Sequence, residues 1–370
     1  MRRLMGVGVV AAALLVVSAP AMATGPGKNG QIIYEGPGGV VVADANGANP
    51  AVVLNNSSAY SPTWSPDGTR FAVTISGDIW TYDAVGGNAI QVTSGAAYDE
   101  SPSWSPDGTR IVFGREATDR ESIYAANADG TGTPKKLSKP AAGKYDFSPA
   151  WSPDGRLIAF NRDKSHGHQS YDIWVMNADG TKPALWLKNN LFNAYPAWSP
   201  DSKRLAYEQR VGFVTVLVSR PIGGGAAKQL TTTTAYEPEY SPDGKTILFQ
   251  DKQGKIRRVP ANGGATTVVV SAGYAPGWQP TCDKTAAPGG GQLLGTAKNE
   301  LLCGLDGADE IHAGGGNDHV FGGVGADSLI GDGGNDVLVG GPDDDTFDGG
   351  PGTDTCVQGL GSGTKAACEH

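Results

Sequence analysis

A short segment that begins Trp-Ser-Pro-Asp-Gly recurs along the first three quarters of this 370-residue chain. Five near-complete copies and a degenerate sixth copy, Trp-Gln-Pro, start at Trp64, Trp104, Trp151, Trp198, Tyr240 and Trp278. Successive copies start 40, 47, 47, 42 and 38 residues apart. Repeats of this length are typical of propeller blades and of solenoids, so the segment restricts the fold to a few repetitive architectures.

Within each repeat, the local sequence indicates β-structure. Pro-Asp-Gly forms a tight turn, because Pro fixes φ and Gly accepts a positive φ. Alternating apolar segments follow this turn, for example 157–160 and then 172–176. A third short strand precedes the next copy, for example 228–231. With the short strand at the Trp, each repeat therefore holds four strands, which is the composition of a propeller blade. Helical solenoids are excluded because no window shows a useful 3.6-residue period.

The two ends of the repeat region are each incomplete. Strand-like segments at 31–35, 40–43 and 51–54 have no Trp strand before them, whereas Trp278 has no strands after it. We therefore predict an all-β fold with a six-bladed β-propeller over residues 25–280. Pairing of the Trp278 segment with the N-terminal strands would close the ring.

The Trp-Ser-Pro-Asp-Gly segments resemble the propeller repeat of TolB-type proteins, which also occurs in the propellers of prolyl oligopeptidase relatives. The resemblance covers about residues 25–280 and implies a propeller with a binding surface. It does not imply peptidase activity, because the chain has no G-x-S-x-G nucleophile elbow. We expect no TolB role either, since TolB carries an α/β domain before its propeller and the first strand is predicted here near residue 31.

A second repeat, of nine residues, runs in seven frames from Gly295 to Val357 and fits the template G-G-x-G-x-D-x-U-x. Position six is acidic in every frame: Glu300, Asp309, Asp318, Asp327, Asp336, Asp345 and Asp354. Position eight holds Leu302, Ile311, Val320, Leu329, Leu338, Phe347 and Cys356. The frames resemble the hemolysin-type calcium-binding repeat of the RTX family, and the resemblance implies a parallel β-roll over residues 295–357.

Two frames of such a roll make one turn, so carboxylates 18 residues apart lie above one another along one edge. Calcium takes six to eight oxygen ligands at about 2.3–2.6 Å, which these carboxylates and the loop carbonyls could supply. Glu300 is left out of the ligand set because its loop lacks most of the glycines and carries Lys298. We predict Ca²⁺ as the cofactor, with the ligands Asp309, Asp318, Asp327, Asp336, Asp345 and Asp354.

Thirteen acidic residues and one basic residue, Lys298, lie between Gly295 and Asp354. This charge repels phosphate backbones and attracts multivalent cations, so we expect no nucleic acid partner. One apolar residue in nine cannot offset the chain entropy and the carboxylate repulsion. We therefore predict that the roll is unfolded without calcium and folds when it binds the ion. The alternative is a disordered acidic linker, which the composition alone also fits.

An even number of cysteines in an exported chain indicates disulfides. Three pairings of Cys282, Cys303, Cys356 and Cys368 are possible. Cys282–Cys303 and Cys356–Cys368 are favoured, because each pair closes a short loop at one end of the repeat array. A zinc site is disfavoured because the chain has no C-x-x-C pair. Residues 281–294 are predicted as a linker, and residues 358–370 as a C-terminal cap.

The N-terminus has the features of a signal peptide over residues 1–23. Arg2 and Arg3 precede an apolar run at 7–17, and Ala21-Met22-Ala23 fits a cleavage site. The alternative, a membrane anchor, is disfavoured because the run is shorter than the about 20 residues that span a bilayer. We expect a secreted or cell-envelope protein with no membrane span after signal removal.

Propellers commonly bind ligands at the channel mouth, with loops that enter the innermost strands. Tyrosines and acids before the Trp segments are candidates for holding a cationic peptide segment or a metal ion: Tyr98, Asp99, Glu100, Tyr145, Asp146, Tyr236 and Glu237. The alternative is that these tyrosines pack between blades. His166 and His168 could bind a transition metal, but no third ligand is evident and a solvated loop is the favoured interpretation.

Together these features predict an exported, non-enzymatic calcium-binding protein whose propeller is a scaffold for a protein or ligand. One alternative is an extracellular hydrolase or lyase with an active site in the propeller. Another is a toxin by analogy with RTX hemolysins. The sequence shows no nucleophile–base pair, no metal triad and no membrane-active segment, so neither alternative is favoured.

Overall fold

The computed structural model describes residues 27–117, 120–163, 171–187, 191–341, 343–358 and 363–369. All regular elements in these ranges are β-strands, which form six antiparallel sheets of four strands and two parallel sheets of five. These residues contain no helix of the length and apolar character that a membrane crossing requires. The predicted signal segment 1–23 and the pair His166 and His168 lie outside the described residues.

The propeller contains the first twenty-four strands of the chain. They are β1 (Lys28–Gly36), β2 (Gly39–Ala43), β3 (Ala51–Leu54), β4 (Ala59–Trp64), β5 (Arg70–Ile75), β6 (Asp78–Asp83), β7 (Ile90–Gln91), β8 (Tyr98–Trp104), β9 (Arg110–Ala117), β10 (Arg120–Asn127), β11 (Lys135–Lys136), β12 (Asp146–Trp151), β13 (Leu157–Asp163), β14 (Tyr171–Asn177), β15 (Ala184–Leu187), β16 (Asn193–Trp198), β17 (Arg204–Val211), β18 (Val214–Pro221), β19 (Lys228–Gln229), β20 (Ala235–Tyr240), β21 (Thr246–Asp251), β22 (Ile256–Pro260), β23 (Thr267–Val270) and β24 (Tyr274–Thr281).

Blade 1 is assembled from both ends of the propeller. Its strand order is β24-β1-β2-β3, and Ile32 of β1 pairs with Trp278 of β24. Blades 2 to 6 follow in chain order with four consecutive strands each, from β4–β7 to β20–β23. The ring closure predicted from the two incomplete ends is confirmed, and this part of the chain is a six-bladed propeller.

In blades 2 to 6 the Trp-Ser-Pro-Asp-Gly segment forms the turn between the inner strand and the second strand. In the first copy, the Ser65 hydroxyl donates to Asp67 Oδ1 at 2.5 Å, and Arg70 N–H donates to Ser65 Oγ at 2.9 Å. Gly68 has φ of 71°, the left-handed conformation that this turn requires. The repeated acid therefore stabilises the turn, and its equivalents do the same at Asp107, Asp154, Asp201 and Asp243.

Two of the repeat tryptophans, Trp104 and Trp198, form hydrogen bonds between neighbouring blades. The Trp104 indole donates to Thr63 O, and the Trp198 indole donates to Ala150 O at 3.0 Å, each acceptor lying in the inner strand of the preceding blade. Both indoles are buried, so each contact satisfies a polar N–H inside the apolar packing between blades. The Trp151 indole instead donates to Gly155 O of its own blade, so this contact between blades does not occur at every repeat.

The remaining strands form the roll. They are β25 (Lys284–Thr285), β26 (Gln292–Thr296), β27 (Leu301–Asp306), β28 (Glu310–Gly314), β29 (His319–Val324), β30 (Ser328–Ile330), β31 (Val337–Val339), β32 (Thr346–Asp348), β33 (Thr355–Val357) and β34 (Thr364–Ala366). Odd-numbered strands form one parallel sheet, in the order β25-β27-β29-β31-β33, and even-numbered strands form the other, in the order β26-β28-β30-β32-β34.

The register of the roll follows the nine-residue period. Leu302 pairs with Val320, and Val320 pairs with Leu338, so neighbouring strands of one sheet are 18 residues apart. One turn of the roll therefore contains two frames, as the sequence predicts. The residues at position eight point between the two sheets and form its core: Leu302, Ile311, Val320, Leu329, Leu338, Phe347 and Cys356.

The roll extends beyond its predicted limits of 295–357 at both ends. The predicted linker, 281–294, contains β25 and part of β26, which pair with β27 and β28. The predicted cap, 358–370, contains β34, which pairs with β32. Parallel pairing needs only extended backbone at the right distance, so these turns form without the Gly and Asp pattern of the repeat. Disulfides Cys282–Cys303 and Cys356–Cys368 join the ends of the roll to their neighbours.

Candidate metal centre and propeller channel

The carboxylates at position six form a column along each side of the roll. In one column, Asp318 Oδ1 accepts the Glu300 N–H at 2.6 Å, Asp336 Oδ1 accepts the Asp318 N–H at 2.8 Å, and Asp354 Oδ1 accepts the Asp336 N–H at 2.8 Å. Each carboxylate thus lies one turn above the backbone of the preceding acid. The vertical stacking predicted from the 18-residue spacing is present in this column.

The second column repeats this pattern. Asp309 Oδ1 accepts the Gly291 N–H at 2.7 Å, Asp327 Oδ1 accepts the Asp309 N–H at 2.8 Å, and Asp345 Oδ1 accepts the Asp327 N–H at 3.0 Å. Both columns therefore use one oxygen of each of the six position-six aspartates for a backbone hydrogen bond between turns. Only the second oxygen, Oδ2, is left for another partner.

The second oxygen of these carboxylates is buried. Within the described residues, Oδ2 has no hydrogen-bond partner in Asp318, Asp327, Asp336 or Asp354. A buried carboxylate oxygen without a partner is unfavourable, so these four atoms are suited to contact with a cation.

Glycine at position one of the frame makes room for these oxygens. A Cβ added at Gly331 would lie 2.7 Å from Asp336 Oδ2, and one added at Gly349 would lie 2.8 Å from Asp354 Oδ2. Among the described residues, no group of three His, Cys, Asp or Glu side chains is arranged to hold a metal. A cation here would therefore take backbone carbonyl oxygens as well as carboxylates, which is the donor set that suits Ca²⁺. The residues present fit this ion.

Burial changes the protonation of the columns. Burial, with the neighbouring carboxylates adding to it, raises the pKa of Asp318 to about 8, that of Asp336 to about 7 and that of Asp327 to about 6. A positive ion at the same place favours the ionised carboxylates, which reverses the effect of burial. The columns are therefore electrostatically unfavourable by themselves and complementary to a cation.

Polar side chains missed by the sequence analysis extend these columns. Asn317 Oδ1 accepts the Asn335 N–H at 3.0 Å, and Asn299 Oδ1 accepts the Asn317 N–H at 2.9 Å. Their 18-residue spacing at position five was a signal that could have identified them. At the C-terminal end, Glu369 Oε2 accepts the Asp354 N–H at 2.6 Å. Glu369 lies 15 residues after Asp354, outside the repeat, so the period does not reveal it.

Two of the predicted propeller ligands are parts of ion pairs. Arg115 holds both carboxylate oxygens of Asp99, at 2.6 and 2.7 Å, and Arg162 holds those of Asp146 at the same distances. The Arg162 guanidinium also lies over the Trp174 ring, 4.2 Å from its centroid. Each carboxylate already has a cation of its own blade as its partner, so a ligand of Asp99 or Asp146 would compete with a charge-assisted ion pair, and their ligand role stays a prediction.

The other candidates lie at the entry to the inner strands. Tyr98 is 39% exposed, and its hydroxyl accepts from the Tyr60 hydroxyl at 2.7 Å. Burial, followed by the charge of Glu116, raises the pKa of Glu100 to about 7. Tyr236 is partly buried, and burial raises its pKa. Tyr145 packs against the aromatic cluster of blades 4 and 5, which is the alternative that the sequence analysis left open.

A bulge with left-handed backbone occurs three residues before the aromatic residue in all six inner strands. Its residues have φ between 47° and 62°: Ser61, Ser101, Ser148, Tyr195, Glu237 and Ala275. The bulge turns their backbone N–H groups away from the ladder of their own blade. In several blades a side chain of the preceding blade accepts this N–H, so the bulge links neighbouring blades.

The acceptors of these N–H groups were missed by the sequence analysis. Glu35 Oε1 accepts the Ser61 N–H at 2.7 Å, and Glu208 Oε1 accepts the Glu237 N–H at 2.8 Å. Glu237, a predicted ligand, also accepts the Ala275 N–H at 3.1 Å, so it connects two blades. Burial raises the pKa of Glu208 to about 8 and that of Glu35 to about 7.

The six-bladed ring and the carboxylate columns define a propeller protein with a C-terminal roll suited to cations. Residues 33–282 match the model of the TolB beta propeller domain, and the chain belongs to this family. Residues 294–329 and 322–356 match the RTX calcium-binding nonapeptide repeat. Both resemblances deduced from the sequence are confirmed. No curated protein is significantly similar to the chain in sequence.

Solved structures share the propeller fold. TolB from Acinetobacter baumannii is 23% identical with a TM-score of 0.59, covering 68% of this chain and 67% of its own. A putative TolB from Agrobacterium tumefaciens is 19% identical with a TM-score of 0.54, covering 66% and 89%. An oligogalacturonate lyase in complex with manganese is 14% identical with a TM-score of 0.51, covering 68% and 77%. At these identities the likeness concerns the fold alone.

Proposed function

We propose that this chain is an exported calcium-binding protein whose roll folds on binding Ca²⁺ and whose propeller is a scaffold for a protein or ligand. The single observation that carries the proposal is the set of four buried Oδ2 atoms, in Asp318, Asp327, Asp336 and Asp354, which lack a hydrogen-bond partner among the described residues. The RTX repeat match supports the identity of the ion.

Asp318, Asp336 and Asp354 would hold the ion on one side of the roll, and Asp309, Asp327 and Asp345 on the other. Bound calcium neutralises the carboxylates that face one another between turns. The chain itself positions them, because each Oδ1 is fixed by a backbone N–H of the preceding turn. Within each column, the Oδ2 atoms are thereby directed to the same edge of the roll.

The first prediction concerns calcium uptake by the full-length mature chain. Asp336→Asn keeps the side-chain shape and the hydrogen bond to Asp318 N–H but removes a charged ligand. We expect titration calorimetry to show calcium binding weakened about tenfold or more, together with loss of β-signal in circular dichroism at limiting calcium. Glu310→Gln is the matched control, since Glu310 is an exposed acid of the same roll. Absence of calcium uptake by the wild type at millimolar concentration would reject the calcium function.

Export is supported by the two disulfides, because such bonds persist in oxidising compartments. The signal-like segment 1–23 favours the same location, either outside the cell or in its envelope. Amino-terminal sequencing of the protein recovered from the medium or envelope tests this part of the proposal. A chain that retains residues 1–23 would contradict signal removal.

The scaffold role rests on the exposed Tyr98 and the partly buried Tyr236 near the entry to the inner strands. Aromatic rings there offer contact area for a peptide segment. Affinity capture from the native envelope or medium should recover a partner whose binding falls at least about fivefold with Tyr98→Ala. The reason is that a few aromatic side chains commonly supply most of the binding energy of an interface. Val85→Ala, which alters another exposed side chain of the propeller, is the control. Equal capture by Tyr98→Ala and wild type would exclude this surface.

We propose a role without catalysis. The alternative of an extracellular hydrolase or lyase is tested by activity screens on esters and on glycans, with calcium present. Turnover that is abolished by substitution of a propeller residue would overturn the non-enzymatic proposal.

A further inference from the structure

One outward face of the roll is covered. Position seven of alternate frames forms a row across the odd-numbered strands, in which Leu301 pairs with His319, His319 with Val337, and Val337 with Thr355. We call these four residues the docking row. Leu301, His319 and Val337 are only 0%, 3% and 1% exposed.

The same position on the other sheet is more exposed. Position seven of the intervening strands holds Glu310, Ser328 and Thr346, and Thr364 continues the row in β34. Glu310, Thr346 and Thr364 are exposed, and Ser328 is half-buried. The two sheets have the same backbone pattern, so the difference comes from what packs outside the first sheet. The docking row is therefore an interface.

The propeller covers the docking row. His319 Nε2 donates to Pro153 O, in the third Trp-Ser-Pro segment, at 2.9 Å. A Cβ added at Gly155 would lie 3.9 Å from Thr355 Oγ1, so the last member of the row also approaches this turn. At the other end, a Cβ added at Gly27 would lie 3.2 Å from Leu301 Cβ.

The contact lies on the propeller axis. His319 lines a cavity together with Trp64 of blade 2, Trp104 of blade 3, Trp151 of blade 4 and Trp278 of blade 1. Blades 1 and 4 are opposite one another in a ring of six, so a space that both of them line is at the centre of the ring. His319 therefore closes the Trp-Ser-Pro end of the central channel.

The roll is attached to the propeller by more bonds at its first turn than at His319. Disulfide Cys282–Cys303 ties β27 to the residue that follows β24, and Lys28 Nζ donates to Asp283 O at 2.7 Å. The His319 imidazole is held against the propeller by a single hydrogen bond, from Nε2 to Pro153 O. Its buried Nδ1 has no hydrogen-bond partner in the described part of the chain. A buried unpaired nitrogen is unfavourable, so His319 stays against the channel only while the turns of the roll hold it there.

We propose that the roll is a calcium-dependent plug of the propeller channel. In the calcium-bound protein the docking row seals the Trp-Ser-Pro end with His319. Removal of calcium unfolds the turns beyond the Cys282–Cys303 disulfide, withdraws His319 and opens the tryptophan-lined end of the channel. This inference rests on the proposed calcium function of the roll.

The test measures access to the channel in the full-length chain. Thr63 is a buried residue that lines the cavity, and the four native cysteines are in disulfides. Thr63→Cys therefore adds a single thiol, whose alkylation by iodoacetamide is followed by mass spectrometry. We expect alkylation to be at least about tenfold faster in chelator than in calcium, because local opening controls access to a buried group.

Variants of the docking row separate the plug from calcium binding. His319→Glu in the Thr63→Cys background places a carboxylate against Pro153 O, so alkylation should be fast even in calcium. Ser328→Glu makes the same change at position seven of the uncovered sheet and should leave alkylation slow. His319→Ala is a milder variant that should give an intermediate rate. Calcium uptake of each variant is measured by calorimetry alongside.

The possible outcomes are distinct. Fast alkylation of the parent in calcium, or alkylation of both His319 variants as slow as that of the parent while calcium uptake is retained, would overturn the plug. Absence of calcium uptake by calorimetry would remove the calcium function and with it the calcium dependence of closure. In that case the comparison of His319→Glu with Ser328→Glu still decides whether the docking row seals the channel.

Discussion

Asp99 and Asp318 are both buried carboxylates, yet their surroundings lead to opposite chemistry. Asp99 lies against the Arg115 guanidinium, which supplies a positive charge from the same blade. Asp318 is surrounded by other acids, including Asp336 and Glu300, and its pKa is raised to about 8 by burial and by those charges. A buried acid therefore marks a structural ion pair when the chain supplies the cation, and a place for a solvent cation when it does not.

A prediction at this scale concerns Glu208. Burial raises its pKa from 4.5 to about 8 in the folded chain. The stability contributed by its protonated form is fully present below pH 4.5 and is lost as the pH rises through 8. Glu208→Gln removes this titration, so from pH 5 to pH 9 the variant should gain about 2 kcal/mol or more of unfolding free energy relative to wild type.

Urea unfolding at the two pH values, in saturating calcium, measures this difference. The amide of the variant can still accept the Glu237 N–H, so the hydrogen bond between blades is retained. Glu310→Gln, at an exposed acid, provides the comparison and should show a difference from wild type that is the same at both pH values. A parallel pH dependence of wild type and Glu208→Gln would refute the prediction.

At the scale of elements, the two repeat periods in the sequence predicted how most of the strands pair. The Trp-Ser-Pro-Asp-Gly spacing predicted six blades and the partner of β24, because each repeat must bury its own faces against neighbours. The nine-residue period predicted the register of the roll, since two frames make one turn and place Leu302 beside Val320 in the same sheet. In both cases local chemistry and long-range packing have the same period.

The sequence analysis did not predict the contacts that lack this period. Asp99 was interpreted as a ligand because its partner, Arg115, becomes a neighbour only through the register of β8 and β9. The same 16-residue separation joins Asp146 to Arg162, and this recurrence was an available signal. The burial of His319 had no signal of this kind, because which face of the roll is covered depends on how the roll lies against the propeller.

A prediction for the roll concerns the glycine at position one. A Cβ at Gly331 would lie 2.5 Å from Gly349 O and 2.7 Å from Asp336 Oδ2. Gly331→Ala should therefore force the turns apart and raise the calcium concentration needed for folding by about tenfold, as loss of ligand orientation does. Circular dichroism during calcium titration measures the midpoint.

Gly315→Ala is the matched control for this test. A Cβ at Gly315 meets no atom closer than 3.6 Å, which is ordinary van der Waals contact. The calcium midpoint of this variant should stay close to that of the wild type. If both variants shift the midpoint equally, the effect comes from glycine flexibility rather than from the space beside Asp336.

At the scale of the whole molecule, the propeller and the roll are connected by more than the chain. The disulfide Cys282–Cys303 and the Lys28–Asp283 hydrogen bond fix the first turn of the roll beside blade 1. The later turns reach across to blade 4 through His319 and Pro153. The roll thus spans the bottom of the ring, and an ion bound in its turns can influence a surface of the propeller that contains no ion ligand.

Blade 1 combines strands from both ends of the propeller, and this arrangement affects folding during synthesis. Strand β1 leaves the ribosome before blades 2 to 6, but its inner partner β24 follows only after those blades have been synthesised. Until then the inner edge of β1 is unpaired, and such edges readily pair with other chains. Contacts between residues so distant along the chain also form slowly. The interval between the emergence of these two strands is therefore when the nascent propeller is most exposed to aggregation, and a chaperone would be most useful then.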